Sequence, residues 1–99
     1  MAIHAITFRL ESDSTYGDRY KSVVEAIRKQ AGNKYWNEPT SFALIESDGT
    51  SKEVAASIDR NSTLDQCKDL LLVTNLTQKG YTALGVVKDN DLHALMQRR

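Results

Sequence analysis

Ile3, His4, Ala5, Ile6, Thr7, Phe8, Arg9 and Leu10 form an apolar run that gives way abruptly to charge at Glu11. Successive side chains of an extended chain point to opposite faces. One face of this run carries His4, Ile6, Phe8 and Leu10, and the alternation predicts that Ile6, Phe8 and Leu10 look into a core. The other carries Ile3, Ala5, Thr7 and Arg9, apolar at its start and cationic at its end. A guanidinium in a dry interior is costly, so such a face suits a surface covered by another subunit or a ligand. The run reads as the central strand of a small sheet.

Beyond it, residues 11–14 are polar, and Thr15 followed three positions later by Asp18 resembles a capping box. Tyr16, Tyr20, Val23, Val24, Ile27 and Ala31 recur at three- and four-residue intervals, which is one helical stripe, and Gly32-Asn33 gives the stop. Arg19, Arg28 and Lys29 fall off that stripe and are expected in solvent. Residues 35–37 and 41–46 read as a hairpin-like pair of strands. The single proline, Pro39, belongs at the bend between them because it cannot donate to a sheet. After the Asp48-Gly49 turn, Thr50 and Glu53 form a cleaner capping box, and Val54, Ala55 and Ile58 line a short helix. Residues 61–68 read as a loop or one more helical turn. Residues 70–73 are a continuous apolar run of the kind found in strands buried on both faces. Lys79-Gly80 turns the chain into a last strand at 81–87, and Asp89 or Asn90 caps a terminal helix holding Leu92, Leu95 and Met96.

The resulting order is strand, helix, strand, strand, helix, strand, then a further strand and helix. This is an α+β class, ferredoxin-like βαββαβ plan with an extra C-terminal strand and a short terminal helix. In that plan helices cover one sheet face only. The face of Ile3, Ala5, Thr7 and Arg9 is therefore expected to join two copies as a homodimer, although the strand at 81–87 could instead add to a partner's sheet edge.

Composition narrows the classes. The 99 residues, 40% of them hydrophobic, fit a single domain over 1–99. Thirteen basic and thirteen acidic side chains balance, so no global field steers the chain toward nucleic acid or an anionic membrane, and any such binding must come from a local patch. No apolar run approaches the roughly 20 residues of a membrane span, and no secretory leader pattern opens the chain, so a cytoplasmic protein without a membrane partner is expected. Cys67, the only cysteine, offers neither an intrachain disulfide nor a thiolate zinc cluster.

Ile6-Thr7-Phe8-Arg9-Leu10 resembles the first strand of the small CRISPR-associated adaptation nucleases and of the related VapD-type toxins and SinR-family proteins, where a pattern like Ile-Ser-Tyr-Asp-Leu precedes a helix. Trp36 and Thr40-Ser41-Phe42-Ala43-Leu44-Ile45 are similar to the tryptophan and Ser-Thr-Trp-Leu hairpin of the SinR-like branch. Lys68-Asp69-Leu70-Leu71-Leu72-Val73 is similar to its Asp-Lys-Leu-Leu-Val-Ile strand. The resemblance runs over residues 3–87 and implies a ferredoxin-like homodimer acting as a ribonuclease or a nucleic-acid-binding scaffold. In that superfamily an aspartate near the end of the first strand binds the catalytic magnesium across the dimer. The matching position here is Arg9, whose fixed positive charge repels a metal that needs carboxylate oxygens and suits a phosphate or carboxylate instead.

Glu11 and Asp13, alternate residues just beyond Arg9, are the candidates for a displaced magnesium pair, against the simpler reading of a solvated loop. His4 and His93 are too isolated to suggest a metal or a general base. Arg9, Arg19, Arg28, Lys29 and Trp36 are the candidates for nucleic-acid or anion contacts, with Trp36 the best placed for exposed stacking. The weighed function is a non-catalytic or weakly catalytic homodimeric protein that associates with nucleic acid or a protein partner and needs no cofactor. One alternative is a divergent metal-dependent endoribonuclease using magnesium. Another is a small regulatory module that binds an anionic ligand at the dimer face.

Overall fold

The structure is a computed structural model that describes residues 2–32 and 34–98, so Asn33 of the predicted helix stop lies outside the described residues. In chain order the elements are β1 (Ala2–Arg9), α1 (Tyr16–Gln30), β2 (Tyr35–Trp36), β3 (Phe42–Ser47), α2 (Ser51–Arg60), β4 (Leu70–Asn75), β5 (Tyr81–Gly85) and α3 (Asp91–Gln97). The strands form one antiparallel sheet in the order β2-β3-β1-β4-β5, which is the ferredoxin-like arrangement with β5 added at the β4 edge. β1 is the central strand, as its alternation predicts.

Its inward residues Ile6 and Phe8, with Leu10 just beyond its end, meet Val23, Ala26 and Ile27 of α1, Val54, Ala55 and Ile58 of α2, and Ala43, Ile45, Leu71 and Val73 of the flanking strands. All of these are buried. The α2 capping box forms as expected: Thr50 Oγ1 accepts from the Glu53 N–H, and Glu53 Oε1 accepts from the Thr50 N–H. Pro39 lies in the bend before β3. There Ser41, in a left-handed conformation (φ 59°), turns its carbonyl to accept from the Phe8 N–H and the Thr7 hydroxyl.

Thr15 precedes α1 but caps nothing with its side chain; its hydroxyl and its N–H both donate to Asp13 Oδ1, an aspartate turn that competes with the helix cap. The buried stripe of α1 is rotated from the predicted one. Arg19 is buried with Val23, Ala26 and Ile27, whereas Tyr16 is 37% exposed and stacks on Tyr20. β4 is not buried on both faces: Leu71 and Val73 point inward and are sealed, while Leu70 and Leu72 are half-buried on the other side, because both large helices lie on one face. β5 stops at Gly85, two residues short of the predicted end. Gly85 has φ 103°, and a Cβ there would collide with the Asp69 carbonyl oxygen, so the close crossing of the two chains requires glycine.

Candidate functional site: the outer face of the sheet

The register shows which side chains share the face turned away from α1 and α2. One row crosses all five strands: Trp36, Leu44, Ala5, Thr74 and Tyr81. Beside it run Phe42, Thr7, Leu72 and Ala83, then Arg9, Leu70 and Gly85. The sequence expected Ile3, Ala5, Thr7 and Arg9 to form one surface. They do lie on one face, but the C-terminal segment divides it into two ends.

At one end Ile3 and Trp36 are exposed, at 37% and 41%. Trp36 meets Phe42 edge to face at 6.2 Å, and its indole N–H donates to Glu38. Ile3, Leu44 and Trp36 line a shallow hollow of about 290 Å³ with Lys34 and Glu46 at its rim. Nearby, the Arg28 guanidinium stands 6.0 Å from the centre of the Tyr35 ring. Burial raises the Tyr35 phenol above its ordinary value, with the Arg28 charge opposing.

At the other end the chain leaves β5, crosses back over the face as residues 86–90, and enters α3. Arg9 donates one long hydrogen bond, 3.3 Å, to the Val86 carbonyl. Tyr81 Oη and His93 Nδ1, 2.8 Å apart, pin α3 to β5. Asp89, not Asn90, provides the side-chain contact at the start of α3, accepting from the Asp91 N–H. Beneath this strap lies a cavity of about 540 Å³ whose walls include Leu70, Leu72, Val86, Val87 and Leu92.

The remaining predicted residues fall elsewhere. Arg19, expected in solvent as an anion contact, is instead paired with Asp69 inside the protein. Asp69 is fully buried, and its carboxylate also accepts from the Glu11 N–H (2.8 Å) and the Asp65 N–H (2.9 Å), while its carbonyl accepts from the Val86 N–H (2.8 Å). This one residue ties the end of β1, α1, the 65–68 turn and the end of β5. Arg28 and Lys29 are exposed on α1, as expected. Asp13 is bonded to Lys68 at 2.7 Å and lies 3.7 Å from Arg19, and the Lys68 hydrogen bond first, then those from Thr15, hold its carboxyl well below the usual range. Glu11 is exposed. Among the described residues no three His, Cys, Asp or Glu side chains cluster closely enough to hold a metal.

No family model, curated protein or solved structure matches the chain. The surface must therefore be read from its own chemistry. Sequence reasoning missed Leu44, Leu70 and Leu72 as outer-face residues and Val86, Val87 and Leu92 as a cover. The period-two spacing of Leu44 with Phe42, and of Leu70 with Leu72, was the available signal. The path of residues 86–92 over the sheet has no local signature. No described helix is long and apolar enough to cross a membrane.

Proposed function

We propose that the protein is a non-catalytic homodimeric binding module associated with nucleic acid, in line with its resemblance to the CRISPR-associated adaptation nuclease, VapD and SinR-like proteins. The observation that carries this reading is the uncovered end of the outer face, where Ile3, Ala5 and Leu44 lie beside the exposed Trp36. An apolar sheet face of this kind is stabilised by a second copy laid across it. Trp36, at the margin, offers a ring on which a base stacks, with Lys34 lining the same hollow and the exposed Arg28 and Lys29 of α1 as further cations for phosphates.

Catalysis is the weaker reading, because Asp13 is already held by Lys68 and Arg19 and leaves Glu11 as the only free carboxylate of the expected pair. Analytical ultracentrifugation tests the association: a dimer is expected, and Leu44→Asp is expected to give a folded monomer. Labelled single-stranded RNA and DNA test the ligand. Trp36→Ala is expected to weaken binding by about 1–3 kcal/mol, the range of one base–aromatic stack. A wild-type monomer at all concentrations, or no oligonucleotide binding at low salt, overturns the proposal. Magnesium-dependent cleavage abolished by Glu11→Ala overturns its non-catalytic part.

A further inference from the structure

The geometry points to a second site at the opposite end of the outer face: the cavity under residues 86–92 binds a small carboxylate with an apolar chain or ring, its carboxylate held by Arg9. The volume, about 540 Å³, is within the range of roughly 300–1,000 Å³ typical of small-molecule pockets. Leu70, Leu72, Val86, Val87 and Leu92 give it apolar walls, which select an apolar body. Its charged lining consists of Arg9, Lys88 and Asp89. Asp89 is turned to the start of α3, where it accepts from the Asp91 N–H, so its charge is partly engaged. Arg9 makes no ion pair among the described residues and spends one N–H on the Val86 carbonyl. A guanidinium carries five donors, and a carboxylate matches its planar fork. The site thus joins an apolar wall to a guanidinium that makes no ion pair, with the Lys88 charge beside it offsetting that of Asp89, a combination complementary to an amphipathic anion and to neither a sugar nor a cationic ligand. Inorganic phosphate has the right sign of charge but lacks the apolar body that these walls would cover.

This site lies apart from the Trp36 end and stands independently of the association reading. Isotope-labelled full-length protein is titrated with octanoate, octanol and acetate, and the methyl resonances are followed by NMR. Octanoate is expected to shift Leu70, Leu72, Val87 and Leu92. Octanol is expected to bind at least about tenfold more weakly, since it loses the charge-assisted bonds, and acetate is expected to cause no shift. Arg9→Met keeps most of the stem and is expected to lower octanoate affinity about tenfold while leaving octanol unchanged. Leu72→Phe fills the cavity without touching Arg9 and is expected to block both. Absence of octanoate shifts, shifts confined to the Trp36 end, octanoate binding unaltered in Arg9→Met, or binding retained in Leu72→Phe would each overturn the site. Repeating the titration on Leu44→Asp distinguishes the two readings: cavity binding is expected with or without the dimer.

Discussion

Arg9 and Arg19 both lie near the end of the first strand, one at its last residue and one on the helix that follows, yet they do opposite things. Arg19 is 7% exposed and locked to the fully buried Asp69. Arg9 is exposed on the other side of the sheet and holds only the Val86 carbonyl. The difference arises from the sheet itself. On the helix side, α1 and α2 exclude water, so a cation there must find a partner and full hydrogen bonding. On the outer side, a light strap leaves a cation free to meet a ligand. A charged residue therefore cannot be assigned a role by type; the face it occupies decides.

The largest effect is expected from breaking the inner pair. Asp69→Ala leaves Arg19 buried without its counter-charge and removes the acceptor for the Glu11 and Asp65 N–H groups. A loss of about 3–5 kcal/mol is expected in urea unfolding. Arg19→Met should cost less than Asp69→Ala, because the Asp69 carboxylate retains two backbone donors. Equal costs would show that the ion pair, and not the backbone ties, dominates the hub.

Gly85 is the point at which the two regions touch, since its neighbour Val86 bonds to Asp69 through its N–H and to Arg9 through its carbonyl. Gly85→Ala is expected to destabilise by roughly 1–3 kcal/mol from backbone strain, and by more through the collision with the Asp69 carbonyl. If the strap is positioned by this crossing, octanoate binding should fall in the same variant even where it remains folded.

How much of this was legible in the sequence differs between the two faces. The inner face was readable from Ile6, Phe8 and Leu10, because burial on one side of a strand imposes period two, and α2 announced itself through Thr50 and Glu53. Arg19 was misread although its spacing, four before Val23 and eight before Ile27, places it on the buried stripe. Residue type argued for solvent, and its partner Asp69 is 50 positions away. The outer-face alternation placed Arg9 correctly, but the strap over it comes from residues 86–92, whose return across the sheet depends on long-range packing that no local pattern encodes.

A smaller effect belongs to the interior end of β1. His4 is fully buried, its Nε2 lies 3.0 Å from the Gly49 carbonyl, and Nδ1 has no partner. Burial lowers its pKa, with the Gly49 bond opposing. Well above the ordinary imidazole value of about 6.5 the ring is neutral in both folded and unfolded chains, and His4 imposes no pH dependence. As pH falls below that value the unfolded chain takes up the proton first, so stability is expected to fall by at most about 1.4 kcal/mol per pH unit until the lower folded value is reached. Asp13 and Glu53, whose carboxyls are held below their ordinary values, lose their contributions only below roughly pH 4.5, so the windows separate. His4→Leu should flatten the slope between about pH 5 and 6.5, and an unchanged slope there would assign it to another group.

The smallest stability effect is the most telling for function. Arg9→Met removes one exposed, 3.3 Å hydrogen bond and keeps most of the apolar stem against Leu70 and Val86, so unfolding free energy should change by no more than about 0.5 kcal/mol. The inner arginine would thus be indispensable to the fold and the outer one dispensable to it. An exposed cation whose one bond is to the Val86 carbonyl adds little to the stability of the fold. Arg9 is better explained by what it can hold. Were Arg9→Met instead to cost several kcal/mol, Arg9 would be a second structural clamp, its bond to Val86 would be what fastens the strap, and the contrast between the two faces would collapse.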